Sequence, residues 1–169
     1  MFKKIGILLI VLFFAGIISL TLSSRSNKKP DETLINKSGA RTQTEKRASF
    51  AIYTNGTLRI FTDSKYHNQS DEVFINPDLP NQVTVLKSGT TWRDFFTTLP
   101  MKLEEDCLTT GTGQTFCNNE KYSLQFYING VKNQKALDEE IKDNDKLLIT
   151  YESEDSLEIQ KQINSISDL

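Results

Sequence analysis

Residues 122–151, YSLQFYINGVKNQKALDEEIKDNDKLLITY, constrain the fold more than any other stretch of the chain. From Tyr122 to Ile128 the residues alternate. Leu124, Phe126 and Ile128 share one face, and Ser123, Gln125 and Tyr127 the other, which is the pattern of a half-buried strand. Asn129-Gly130 follows at once, and both residues tolerate the positive φ of a tight hairpin turn. Val131 to Gln134 then pairs back as a short strand. Leu137 and Ile141 sit four apart among charged residues, like one helical turn with an inward face. Asp143-Asn144-Asp145 is a turn cluster. Residues 146–151 form a second strand, apolar on both faces, which places it centrally in a sheet.

The upstream part supplies further elements. Residues 48–54 alternate with Phe50 and Ile52 on one face, and Asn55-Gly56 is a second hairpin signal. Residues 57–61 return with Leu58 and Ile60 facing together. A long polar connection, residues 62–82, is interrupted by Val73–Ile75, which reads as an extra edge strand, and Asp78 and Pro80 mark turns there. Residues 83–86 are another short strand. Trp92, Phe95, Phe96 and Leu99 fall at i, i+3, i+4 and i+7, one face of an amphipathic helix. Thr90 or Thr91 can cap it and Pro100 ends it. An exposed aromatic binding stripe is the competing reading, but a domain this small needs those rings in its core. Residues 101–108 and 115–117 flank the loop Gly111-Thr112-Gly113. After Tyr151, Ile159, Ile163 and Ile166 line a short helix with Ser153 or Asp155 as cap.

The order strand, Asn-Gly turn, short strand, helical turn, turn, central strand resembles the second half of the β-grasp fold, shared by ubiquitin and the small sulfur-carrier proteins. The phrase YINGV…LDEEIKDNDKLLITY is similar to the pattern of extracellular β-grasp modules, the transcobalamin-C-terminal-like domains among them. The resemblance covers roughly residues 47–152. It implies an α+β domain: a β-grasp-like mixed sheet with one packed helix, opening on a hairpin. Two ordinary strands of another α+β domain are the alternative. The chain ends Ser165-Ile166-Ser167-Asp168-Leu169 and lacks the Gly-Gly tail of a sulfur carrier or ubiquitin-type modifier, so conjugation is not implied. Relatives of this architecture often carry histidines near the strand before the helix. The corresponding stretch, NQVTVLKSG, has none.

The N-terminus indicates an address. Lys3 and Lys4 precede residues 5–22, IGILLIVLFFAGIISLTL, a run without charge or proline. As a helix it spans ~27 Å, enough for a bilayer core. It is longer than a signal-peptide core, the site at Thr21, Leu22 and Ser23 is poor, and no cysteine follows for lipidation. A retained single-pass transmembrane helix contacting the lipid bilayer is therefore expected, with secretion after cleavage as the alternative. Arg25, Lys28 and Lys29 balance Lys3 and Lys4, so the positive-inside rule nearly cancels. The early position of the segment and the two cysteines favour an extracytoplasmic location for the rest. Residues 23–47 are polar, lack aromatics and carry seven Lys/Arg against three Asp/Glu, a flexible linker. Residues 48–152 carry ten against fifteen, an acidic domain that argues against a nucleic-acid partner. Residues 153–169 form the tail.

The chemistry is sparse. Cys107 and Cys117, ten apart, suit a disulfide closing a hairpin-like loop, worth ~2.5–3 kcal/mol in the chain-entropy model. A thiol–disulfide redox role is the sharper alternative, and the absence of C-x-x-C spacing at a helix N-terminus argues against it. His67, the single histidine, lies in a polar loop and reads as solvent-exposed. Glu104-Glu105-Asp106 and Asp138-Glu139-Glu140 could hold a cation, but a solvated surface is the simpler reading. Asp143-Asn144-Asp145 lacks the glycine and distal glutamate of a calcium loop, and Gly111-Thr112-Gly113 lacks the Gly-Lys-Ser/Thr of a phosphate loop. Asn36, Asn55 and Asn68 match the glycosylation acceptor pattern. No catalytic set, metal site or cofactor is expected. The expected function is a binding module for a protein partner, contacted through the connections at 62–82 and 107–117; a small-ligand or metal binder is the other alternative.

Overall fold

A computed structural model describes residues 45–153 and 157–166. These lie in one compact unit, residues 43–169. The apolar run at 5–22, the linker up to residue 44 and Asn36 fall outside the described residues. Among the described residues no helix is long and apolar enough to cross a membrane.

The architecture is α+β, a mixed sheet with two helices. Strand β1 (Lys46–Thr54) pairs in parallel with β10 (Lys146–Glu152), from Ser49 opposite Lys146 to Thr54 opposite Tyr151. All other pairings between the described strands are antiparallel. On one side, β4 (Gln82–Val85) joins β1 and β3 (Val73–Ile75) joins β4. On the other, β8 (Ser123–Ile128) joins β10 and β9 (Val131–Lys132) returns along β8. The order is β3-β4-β1-β10-β8-β9, with β2 (Thr57–Leu58) on the end of β1. β10 is central, as its two apolar faces require. Both Asn-Gly turns have positive φ at each residue: Asn55 and Gly56, Asn129 and Gly130.

Two boundaries move. β1 starts at Lys46, so Lys46 and Arg47 belong to the sheet and not to the linker. They pair with Val85 and Thr84, the Lys46 ammonium meets Glu140 at 2.7 Å, and the Arg47 amide donates to Asp143. The first hairpin also stops at Leu58. Beyond it Phe61 turns into the core, 5.0 Å from the Phe50 ring, and leaves Ile60 69% exposed. Burying one more aromatic ring outweighs continuing a two-residue ladder.

One face of the sheet carries the main core. Helix α1 (Trp92–Thr98) starts in a capping box: the Thr91 hydroxyl accepts from the Asp94 amide, and the Asp94 carboxylate accepts from the Thr91 amide. Its Trp92, Phe95 and Phe96 are buried with Phe50, Ile52, Phe126 and Leu147. Leu137 and Ile141 are buried too, but a 3-10 turn at Ala136–Asp138 replaces the expected helical turn. Glu140 bridges to Thr91 and the Ile141 amide donates to the Thr90 carbonyl, which draws the chain away from an α-helical path. A three-stranded antiparallel sheet, β5 (Lys102–Leu103), β6 (Cys107–Thr109) and β7 (Thr115–Cys117), is added beside this core. It inserts Leu108, fully buried, and stacks Phe116 edge-on against Tyr151.

The opposite face is covered by helix α2 (Leu157–Ser165), which with the adjoining Ile166 packs over Ala51 and Leu148, beside Tyr53 and Tyr127. Tyr53 and Ser165 share a 2.9 Å hydroxyl hydrogen bond. This seam contains a mismatch. Gln162 is 4% exposed, yet among the described residues neither of its amide atoms has a hydrogen-bond partner, and Thr150 Oγ1, on the same sheet face as Leu148, has none there either. An unsatisfied buried amide costs about 1–3 kcal/mol. Gln162→Leu is therefore expected to raise stability by about 1–2 kcal/mol, read as a melting temperature several degrees higher; an unchanged or lower value would show that the amide is satisfied.

Candidate functional site

The described residues form a cleft of about 260 Å³ between the segment that leaves β2 and the loop at the tip of the β6–β7 hairpin. Ile52, Phe61, Met101 and Leu108 give it an apolar lining, and Ile60 stands exposed at its rim. The two connections expected to carry contacts both contribute: Tyr66 from the first, Gly111 and Thr112 from the second.

Local chemistry builds each wall. Asp63 caps a 3-10 turn at Ser64–Tyr66 by accepting from the Lys65 amide. That turn sets the Tyr66 ring 5.1 Å from Phe61. Gly111 then approaches so closely that an added Cβ would lie 2.5 Å from Tyr66 Oη and 2.9 Å from the Pro100 carbonyl oxygen. Glycine is needed here for space, a reason distinct from the hairpin glycines with positive φ. Two cations span the walls. Arg59 Nε donates to Thr54 Oγ1 at 2.6 Å and Nη1 to Gln114 Oε1 at 3.1 Å, while the guanidinium sits 5.0 Å from the Phe116 ring centre. Lys65 Nζ donates to the Gly111 carbonyl at 3.4 Å and lies 5.0 Å from the Tyr66 ring centre.

Cys107 and Cys117 face each other across β6 and β7, with Cα atoms 4.0 Å apart and sulfurs 1.96 Å apart, at disulfide bonding distance. Cys117 is exposed and Cys107 half-buried. The bridged hairpin is held to the central strand by Tyr151, whose hydroxyl donates to the Cys117 carbonyl at 2.9 Å and accepts from Asn119 Nδ2.

His67 is not a free loop residue. Its Nε2 is 2.8 Å from the Phe61 carbonyl, and its backbone bridges Ile75. Asn55 and Asn68 are exposed, each at positive φ. The acidic runs are split among cations. Arg93 joins Glu105 and Asp138, pinning α1 to the β5–β6 loop and the 3-10 turn. Glu140 takes Lys46 and the Gly89 amide. Asp145 accepts from the Lys142 amide and Asn129 Nδ2, which makes it a turn-forming group. Among the described residues no three metal-ligating side chains come together.

The cleft could not be found by motif, because its walls come from segments about fifty residues apart. The available signal was the length of the two connections, 62–82 and 107–117, both of which contribute to the lining. No family model, curated protein or solved structure matches the chain.

Gly111→Ala should cost about 1–3 kcal/mol and perturb the Tyr66 and Pro100 resonances. Tyr66→Phe in the same chain should recover only part of the loss, since the Pro100 carbonyl still obstructs; full recovery in a thermal melt would refute the double contact. Hydrogen bonding from Arg93 holds the Glu105 carboxyl below its ordinary range, and Lys46 does the same for Glu140. Such a contribution is complete above about pH 4.3, the unfolded glutamate value, and is lost as pH falls through the lower folded value. Glu105→Gln should therefore lower stability at neutral pH and flatten the acid limb of a stability–pH curve; an unchanged limb would remove the pair from the account.

Proposed function

We propose that this chain is a non-enzymatic recognition module: a β-grasp-like domain held at the extracytoplasmic face of a membrane by residues 5–22, which binds a protein partner through the cleft. The single observation that carries the reading is the cleft itself. It is concave and apolar, with an exposed isoleucine at its mouth, and its walls are fixed by a close backbone contact and a bridged hairpin. Rigid concave apolar surfaces with few polar groups are where ligands are held. The β-grasp part of the reading rests on connectivity. The first and last strands are parallel neighbours, a strand precedes the helix on one side, and an Asn-Gly hairpin follows it on the other. In that comparison β3 and the three-stranded sheet are additions. Sulfurs at bonding distance support an oxidising compartment.

The test is site-specific photocrosslinking of the full-length chain in its native membrane. A photoactivatable residue replacing Ile60 should capture a discrete partner. One replacing Val131, which is equally exposed at 69%, should not. Equal labelling at both positions, or none at position 60, would defeat the reading.

A second reading, a thiol–disulfide participant, is favoured by one observation: Cys117 is open to solvent. Its reduction potential decides. A value below about −300 mV marks a structural bond and leaves recognition standing. A much more oxidising value, with turnover on a reduced substrate, would transfer the function to the cysteines.

A further inference from the structure

We infer that the cleft receives an apolar side chain flanked by carboxylates on a partner polypeptide; this deepens the recognition reading and rests on it. The first observation is charge. Residues 48–152 carry fifteen acidic against ten basic side chains, so a random patch would be expected to be acidic. The lining of the cleft contains no Asp or Glu, and its one charged residue is Arg59. The second is how that charge is held. Arg59 is bonded to two neutral acceptors, Thr54 and Gln114, and among the described residues no carboxylate lies within ion-pair distance of it. Elsewhere in the domain the other arginines are paired, Arg47 with Glu45 and Arg93 with Glu105 and Asp138. A guanidinium has five donors in a fixed fork, and hydrogen bonds to neutral acceptors leave some of them and the full charge available to an incoming carboxylate.

Lys65 adds a second positive group beside the lining, bonded to the Gly111 carbonyl and set against the Tyr66 ring. Its closest carboxylate is Asp63 at 4.0 Å, at the limit of an ion pair, and Asp63 is also engaged in capping the local turn. Glu152, although buried, shares the sheet face of Leu148 and Thr150, opposite the face that carries Tyr151 and the cleft. Among the described residues, Asp63 is therefore the one carboxylate near the mouth, and no acidic side chain pairs with Arg59.

Size and shape select a side chain over the alternatives. About 260 Å³ is below the range of pockets that enclose a drug-sized molecule. It suits one large aliphatic or aromatic side chain. A lipid surface would need a broad apolar face, whereas here a single isoleucine projects beside a concavity. Polypeptide charges on both sides of the inserted residue would meet Arg59 and Lys65.

The experiment uses the full-length chain in zwitterionic detergent, with isoleucine, leucine and methionine methyl groups labelled for NMR. The probes are blocked pentapeptides of sequence Gly-Glu-Leu-Glu-Gly, Gly-Gln-Leu-Gln-Gly and Gly-Glu-Ala-Glu-Gly. The acidic leucine peptide should shift the Ile60, Met101 and Leu108 methyls and bind at least fivefold more tightly than the other two. That advantage should shrink between 20 and about 150 mM salt as exposed charges are screened. Arg59→Gln should reduce the preference for Glu over Gln to less than twofold while leaving the leucine preference. Lys65→Gln, which disturbs less of the fold, should reduce it in part. Equal binding of the acidic and neutral leucine peptides would overturn the inference, as would no shift at these methyls with any peptide. Shifts produced by phosphatidylglycerol vesicles but by none of the peptides would overturn it in favour of a lipid surface. The crosslink at position 60 is read independently, so loss of the charge preference with a surviving crosslink removes this inference alone.

Discussion

The parallel seam between β1 and β10 is the constraint on which the rest of the domain depends. It joins strands about a hundred residues apart in sequence, and closing a loop of that length is entropically unfavourable, although the cost grows only with the logarithm of length. The seam is stabilised by burial on both sides. Phe50 and Ile52 lie opposite Leu147 and Ile149 under α1, while Ala51 lies opposite Leu148 under α2. Remove either cover and the central strands expose apolar side chains to water, which is why a domain of this size needs a helix on each face.

The small second sheet follows from the same economy of core. The stretch between α1 and β8 could have been a loop. Instead it folds into three short strands that add Leu108 to the main cluster and lay Phe116 on Tyr151. Its hairpin tip then meets the segment beyond β2, and the space left between them is the cleft. The candidate site is thus a by-product of how the core is completed, and its walls rest on the strands behind them.

Much of this was legible in the chain, and the exceptions have physical causes. The alternation in β8, the apolar run of β10, the 3.6-residue spacing of Trp92, Phe95, Phe96 and Leu99, and the two Asn-Gly turns are local signals, and the elements formed where they pointed. The register of Cys107 and Cys117 was local too. What escaped was decided by distant partners. Leu58 and Ile60 alternate, but Phe61 found Phe50 and broke the hairpin short. Leu137 and Ile141 have helical spacing, but Thr90 and Thr91 captured the chain after Asp138. His67 reads as a loop residue until the Phe61 carbonyl is placed beside it. The neutral partners of Arg59 lie five and fifty-five positions away, so their placement, and the lack of a carboxylate beside it among the described residues, had no sequence signature.

The parallel arrangement of the first and last strands has a mechanical meaning. If the domain is held by one end of the chain and tugged by the other, the force first peels α2 from the sheet. It then reaches β1 and β10, whose hydrogen bonds run across the direction of pull. Six residue pairs are loaded together in shear instead of one at a time, as they would be in an antiparallel hairpin opened from its ends. A domain wired this way resists being drawn out along its own axis far better than its modest core would indicate.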